Sequence, residues 1–109
     1  MIKLIDGVQE TGAGNSFVLP YTVKDHTIDC YFTNSGGSVT ALTVNLEGSI
    51  DGSRWFILVS YSFTSDDLSN KQTMFHATDK MVTYIRANIT TLTETGTTAV
   101  YVRYILEKK

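Results

Sequence analysis

The stretch from Leu42 to Phe63 constrains this chain more than any other, because its residues alternate in polarity and are interrupted by an Asp-Gly pair. Leu42, Val44, Leu46 and Ile50 fall on one face of an extended chain, and Thr43, Asn45, Glu47 and Ser49 on the other. That is the period of a strand with one side buried and the other in water. Asp51-Gly52 supplies the turn, since glycine accepts the positive φ of a tight hairpin and the aspartate can bond back to its local backbone. Val39 to Ile50 and Arg54 to Phe63 therefore read as a central hairpin. Trp55 shares a face with Ile57 and Val59, which assigns its indole to the core.

A chain of 109 residues matches one domain, large enough to bury a core without disulfides or metals. Val, Ile, Leu, Phe and Tyr suit a packed sheet, and the many threonines suit solvent-facing strand positions. The formal net charge is -2, and the nine Lys and Arg are scattered apart from Lys108-Lys109, which argues against a nucleic-acid partner. No segment offers the ~20 apolar residues needed to cross a bilayer, so no membrane partner is expected. The start, Met1-Ile2-Lys3-Leu4-Ile5-Asp6-Gly7, lacks the pattern of a cleaved leader, which predicts a soluble protein made in the cytoplasm. The single cysteine fits that compartment and excludes an intrachain disulfide. Cys30 falls in an inward set with Ile28 and Phe32 and reads as a small buried hydrophobe.

Turn-rich stretches divide the chain into about eight extended runs, the spacing of an all-β sandwich or barrel. Residues 1–15 read as an N-terminal arm or short first strand ending in a flexible connection, Thr11 to Asn15, and residues 16–109 as one β-sandwich domain. Phe17, Leu19, Tyr21 and Val23 share a face, and Pro20 marks that strand as an edge or as bulged. His26 to Thr33 is a run closed by Asn34-Ser35-Gly36-Gly37-Ser38. Ser65 to Lys71 is a polar surface loop with room for one helical turn, and Gln72 to Ala77 is a short run. Ile85, Ala87 and Ile89 point inward from the next strand, as do Val100, Val102, Tyr104 and Leu106 from the last. Two antiparallel sheets packed face to face satisfy these faces, with a jelly roll as the first choice and an immunoglobulin-like sandwich as the alternative.

Residues with catalytic or metal-binding chemistry are sparse, so neither an enzyme nor a cofactor is expected. His26 and His76 have no Cys or His at ligand spacing, and their nearest acids, Asp25 and Asp79, sit at strand ends. Asp66 and Asp67 lack the spaced oxygen ligands of a calcium loop. Asn88-Ile89-Thr90 matches a glycosylation triplet but lies inside a strand. Trp55 invites a sugar-stacking reading, against which stands its place in the core. Tyr31, Tyr84, Arg86, Tyr101 and Arg103 project outward and are of the types enriched where protein surfaces meet, although cross-strand Tyr/Arg pairs in water account for them equally well.

A family likeness rests on Val44-Asn45-Leu46-Glu47-Gly48-Ser49-Ile50-Asp51-Gly52 with Trp55, on Tyr84-Ile85-Arg86-Ala87-Asn88-Ile89-Thr90, and on Val100-Tyr101-Val102 after a Gly/Thr turn. This pattern resembles small tailed-phage and prophage β-sandwich virion proteins over nearly the whole chain from Asn15 onward. Ser49 to Trp55 is also similar to a hairpin of discoidin-type sugar- and lipid-binding sandwiches, where those residues mainly shape the turn. The phage resemblance implies a capsid decoration, or cement, protein on the virion surface, made in the host cytoplasm. Its partners would be the major capsid protein and further copies of itself, commonly as a homotrimer. The arm of such proteins lies along the capsid, a role open here to Ile2, Leu4, Ile5 and Val8. The alternatives are a carbohydrate-binding module of a tail fibre, baseplate or secreted enzyme, and a head-completion or tail subunit.

Overall fold

The turn at Asp51 closes more than a local hairpin. A computed structural model describes residues 2–106. Its strands are β1 (Ile2–Val8), β2 (Gly12–Ala13), β3 (Phe17–Val23), β4 (His26–Ser35), β5 (Val39–Ser49), β6 (Phe56–Ser62), β7 (Gln72–Ala77), β8 (Val82–Glu94) and β9 (Thr97–Ile105), with one short helix, α1 (Ser65–Asn70). One antiparallel sheet has the order β1-β9-β4-β7; the other has β2-β8-β5-β6, with β3 also on β8. With β2 and β3 taken as one interrupted strand, the pairs β1·β9, β3·β8, β4·β7 and β5·β6 are successive rungs of a single long hairpin. Alternate rungs fall in opposite sheets, which is a jelly roll. The Asp51 loop is the tip of that hairpin.

Two-residue β2 is the strand that sequence periodicity missed. It lies within Thr11 to Asn15, where the backbone of Gly12 and Ala13 pairs with Ile89 and Asn88 of β8. Gly14 lets this segment lie close against β1, because a Cβ would stand 2.3 Å from the Leu4 carbonyl oxygen. Pro20 sits where β3 skips pairing with β8, between Val18 and Val23, as expected of an edge strand.

The tip departs from a tight two-residue turn. β5 stops at Ser49 and β6 starts at Phe56, so Ile50 to Trp55 form a wider loop organised by one carboxylate. Asp51 Oδ1 accepts the backbone N–H groups of Ser53 and Arg54, both at 2.9 Å, and Oδ2 accepts Arg54 Nε at 3.0 Å. These donors, the Arg54 N–H foremost, hold the Asp51 carboxyl well below the usual carboxylate range. Ile50, expected inward, is instead 71 % exposed. A bulge at Leu58 has a similar effect: Val59 opposes Leu46, but Ile57 opposes Glu47, so these two residues face opposite sides of the sheet. The face that Trp55, Ile57 and Val59 were expected to share is thereby broken, and Trp55 lies outside the core.

The inward residues expected from the other strands do form the core. Ile28, Cys30 and Phe32 from β4 and Val100, Val102 and Tyr104 from β9 meet Leu42, Val44 and Leu46 from β5 and Ile85, Ala87 and Ile89 from β8. Helix α1 is the turn expected in the Ser65 to Lys71 segment. Thr64 caps it, and Asp67 completes a capping box while accepting Tyr61 Oη at 2.6 Å. Tyr61 and then the Thr64 N–H hold the Asp67 carboxyl below its ordinary value.

His26 braces the end of the core. Its Nε2 donates to the Lys80 carbonyl at 2.8 Å, which leaves Nδ1 to accept Tyr104 Oη at 2.6 Å. Burial lowers the proton affinity of His26, against the opposing pull of the Lys80 carbonyl and Asp25. Below 6.5 the unfolded chain then binds more protons than the folded one, so stability falls as pH drops through that value and levels off beneath the lowered folded pKa. Urea unfolding at pH 7 and pH 5 is expected to show this loss, and His26→Gln to remove the slope within that window. Burial, followed by Asp29, pushes the Cys30 thiol up to about 12. Iodoacetamide is accordingly expected to label Cys30 only at the rate of global unfolding, measured by mass spectrometry across a denaturant series.

Candidate functional site

The outward residues singled out by the sequence divide between the two outer faces of the sandwich. On the β1-β9-β4-β7 sheet, Tyr31 of β4 lies directly across from Tyr101 of β9, and Asp29 across from Arg103. A strand period of two puts both pairs on the same outer face. The two tyrosine rings stack with centroids 4.8 Å apart and planes 12° from parallel. Arg103 lies over the Tyr31 ring, 4.9 Å from its centroid, while its Nε donates to Asp29 Oδ2 at 2.9 Å and Nη2 donates to the same oxygen. That contact with Asp29 raises the Arg103 pKa further above its ordinary value. The next strand adds Met74, opposite Asp29 and 55 % exposed, and Gln72, opposite Tyr31. The result is a half-exposed platform whose rings and guanidinium are already held in place by one another and by Asp29.

On the other outer face the candidate residues form a closed cluster. Glu47 of β5 and Arg86 of β8 are register partners, and Arg86 Nε donates to Glu47 Oε1 at 2.7 Å. Asn88 Nδ2 donates to the other carboxylate oxygen at 3.1 Å. The Arg86 guanidinium also covers the Trp55 ring at 4.3 Å, and Tyr84 packs beside Gly52, where a Cβ would lie 3.3 Å from its ring. Gly52 has φ +80, the left-handed region the loop requires. Asn45, Glu47 and Ser49, expected in water, are therefore buried, Glu47 to 7 % exposure. This cluster fastens the hairpin tip to β8, and it uses Tyr84 and Arg86 internally rather than presenting them.

The N-terminal candidates form a strand. β1 pairs with β9 from Ile2↔Tyr104 to Val8↔Val100, and Leu4 and Ile5 are buried in the core, with Ile2 and Val8 packed partly against it. These side chains are part of the sandwich itself, and removing β1 would open the core. Asp66 and Asp67 belong to the first turn of α1, and Asn88 of the glycosylation triplet is engaged by Glu47. His76 is exposed and bonds Thr27 Oγ1 at 3.2 Å beside a shallow depression lined by Asp25, His26, Thr78 and Ile105. Among the described residues, no group of three or more His, Cys, Asp and Glu side chains could hold a metal ion.

Sequence reasoning missed Asp29 and Glu47, the acids that organise the two faces. Each stands one strand away from its arginine, so only the strand order reveals the pairing. No protein-family model matches this chain, and neither a curated protein nor a solved structure matches it.

Arg86→Met is expected to lower the unfolding free energy by about 1–3 kcal/mol, less than for a fully buried pair because the guanidinium is partly exposed. The same substitution should shift the fluorescence of the single tryptophan to longer wavelength as Trp55 gains solvent. Denaturant titration and emission spectra of the folded variant check both.

Proposed function

We propose that this chain is a bacteriophage virion structural protein, a capsid decoration or cement protein that binds the outside of the head and stabilises it through surface contacts. The resemblance to small phage virion proteins supports this reading, and the fold is compatible with it, since jelly rolls are common in capsid architecture. Fold alone does not assign function. The observation that carries the proposal is the Tyr31–Tyr101 stack with Arg103 fixed above it by Asp29. Tyrosine and arginine dominate the energetics of protein interfaces, and side chains already ordered lose little freedom on binding.

The platform would face the major capsid protein at seams between capsomers. An interface of ordinary size, ~1,600 Å² in total, holds tightly when its centre is dry and aromatic. A ligand that binds only the assembled shell lowers the free energy of that state by mass action. Further copies of the chain, as the trimer that the resemblance favours, would multiply the contact by avidity. The carbohydrate reading is weaker, because it relied on Trp55, whose ring is covered by Arg86.

Co-sedimentation with assembled capsids of the encoding phage tests the platform. Tyr31→Ala with Tyr101→Ala is expected to weaken binding by about 30-fold, the effect of losing ~2 kcal/mol at a hot spot. A folded double variant that binds as tightly as the wild type would refute the assignment of this face.

A further inference from the structure

We propose that β6 is a pairing edge for a second copy of this chain, so that two molecules join their β6 strands antiparallel about a two-fold axis. The four sheet edges are unlike one another. β1 carries Lys3 and Asp6, exposed and 4.0 Å apart, and two bulges. β3 carries Pro20, and β7 is six residues long, follows directly on α1, and meets β6 across the layer, where Tyr61 stacks on Phe75. Charge, proline, bulges and a covering element all keep a strand edge from pairing. β6, Phe56-Ile57-Leu58-Val59-Ser60-Tyr61-Ser62, has neither charge nor proline. Its single bulge at Leu58 leaves Val59 to Ser62 in unbroken register with β5.

The free backbone groups of that edge can be assigned. Phe63 N–H donates to the Leu42 carbonyl of β5 at 2.9 Å. Peptide groups alternate in direction along an antiparallel strand, so those of Ser60 and Ser62 point away from β5, toward a side where no described strand pairs. A second copy suits this edge because a neutral strand is its own complement under a two-fold axis, with no like charges brought opposite. The net charge of -2 adds little repulsion. Antiparallel pairing also lays Phe56 and Ile57, each 60 % exposed, along the Ser62 end of the neighbouring β6. A single strand pair buries less than the ~1,200 Å² of a stable interface, which makes this a weak, concentration-dependent dimer. The proposal is independent of the capsid reading.

Sedimentation velocity over a concentration series should show a monomer–dimer equilibrium with Kd on the order of 10–100 µM. Ser60→Pro removes an outward N–H without touching the β5 ladder, and Ile57→Lys places a charge on the edge. Each is expected to weaken the dimer at least ~tenfold, with the fold retained by circular dichroism. In the wild type, exchange of the Ser60 and Ser62 amides should slow as concentration rises. A wild type that stays monomeric over this range would overturn the proposal. So would a dimer, trimer or larger oligomer in which those two amides exchange at a rate independent of concentration.

Discussion

Because side chains alternate along a strand with a period of two, each strand gives one face to the layer between the two sheets, and that layer is built by enforcing the alternation on almost every strand. A slip of one residue in β8 would move Ile85, Ala87 and Ile89 from the core to the outer face and replace them with Arg86 and Asn88. The apolar layer thus fixes register, and register decides what meets on the outer faces. Tyr31 opposes Tyr101, and Asp29 opposes Arg103, because Cys30 and Val102 must both point inward between them. The platform is a consequence of the core, one residue out of phase with it.

The exceptions cluster at the tip of the long hairpin. From Val44 to Ser49 both faces of β5 are buried, one by the apolar layer and the other by Arg86, Asn88 and the loop that Asp51 folds. Placing Glu47 there costs desolvation, which the arginine, the asparagine amide and the indole beneath the guanidinium offset. A buried ion pair is weak evidence for stability in itself. Its effect here is one of specificity: it ties β5, β8 and the loop into one arrangement, so that the edge strand β6 is carried on a fixed support.

Much of the architecture was legible because alternation is a strong signal in a chain with few helix-forming runs. The inward residues of β4, β8 and β9, the edge strand with Pro20 and the helical turn after Thr64 all follow from local pattern. The bulge at Leu58 was not legible, since an extra residue in one strand is defined only by its partner. Trp55, Ile57 and Ile50 were misplaced for that reason and because the Asp51 carboxylate organises a wider loop than an Asp-Gly pair suggests. The candidate interface residues were recognised as outward-facing, but their division between an open platform and a closed cluster depends on strand order. Leu4 and Ile5 illustrate the same gap: an apolar N-terminus reads equally as an arm or as an edge strand until β9 is placed beside it.

The decoration role proposed for the Tyr31–Tyr101 face requires that these side chains be hidden when the protein meets a capsid. Hydroxyl-radical footprinting of the protein, free and bound to capsids, reads this at single residues. Tyr31 and Tyr101 are expected to become protected on binding while Tyr84, on the opposite sheet, keeps its free-state reactivity. Unchanged labelling of Tyr31 and Tyr101 in a bound sample, or protection confined to Tyr84, would contradict the assignment of the Tyr31–Tyr101 face as the surface that touches the shell.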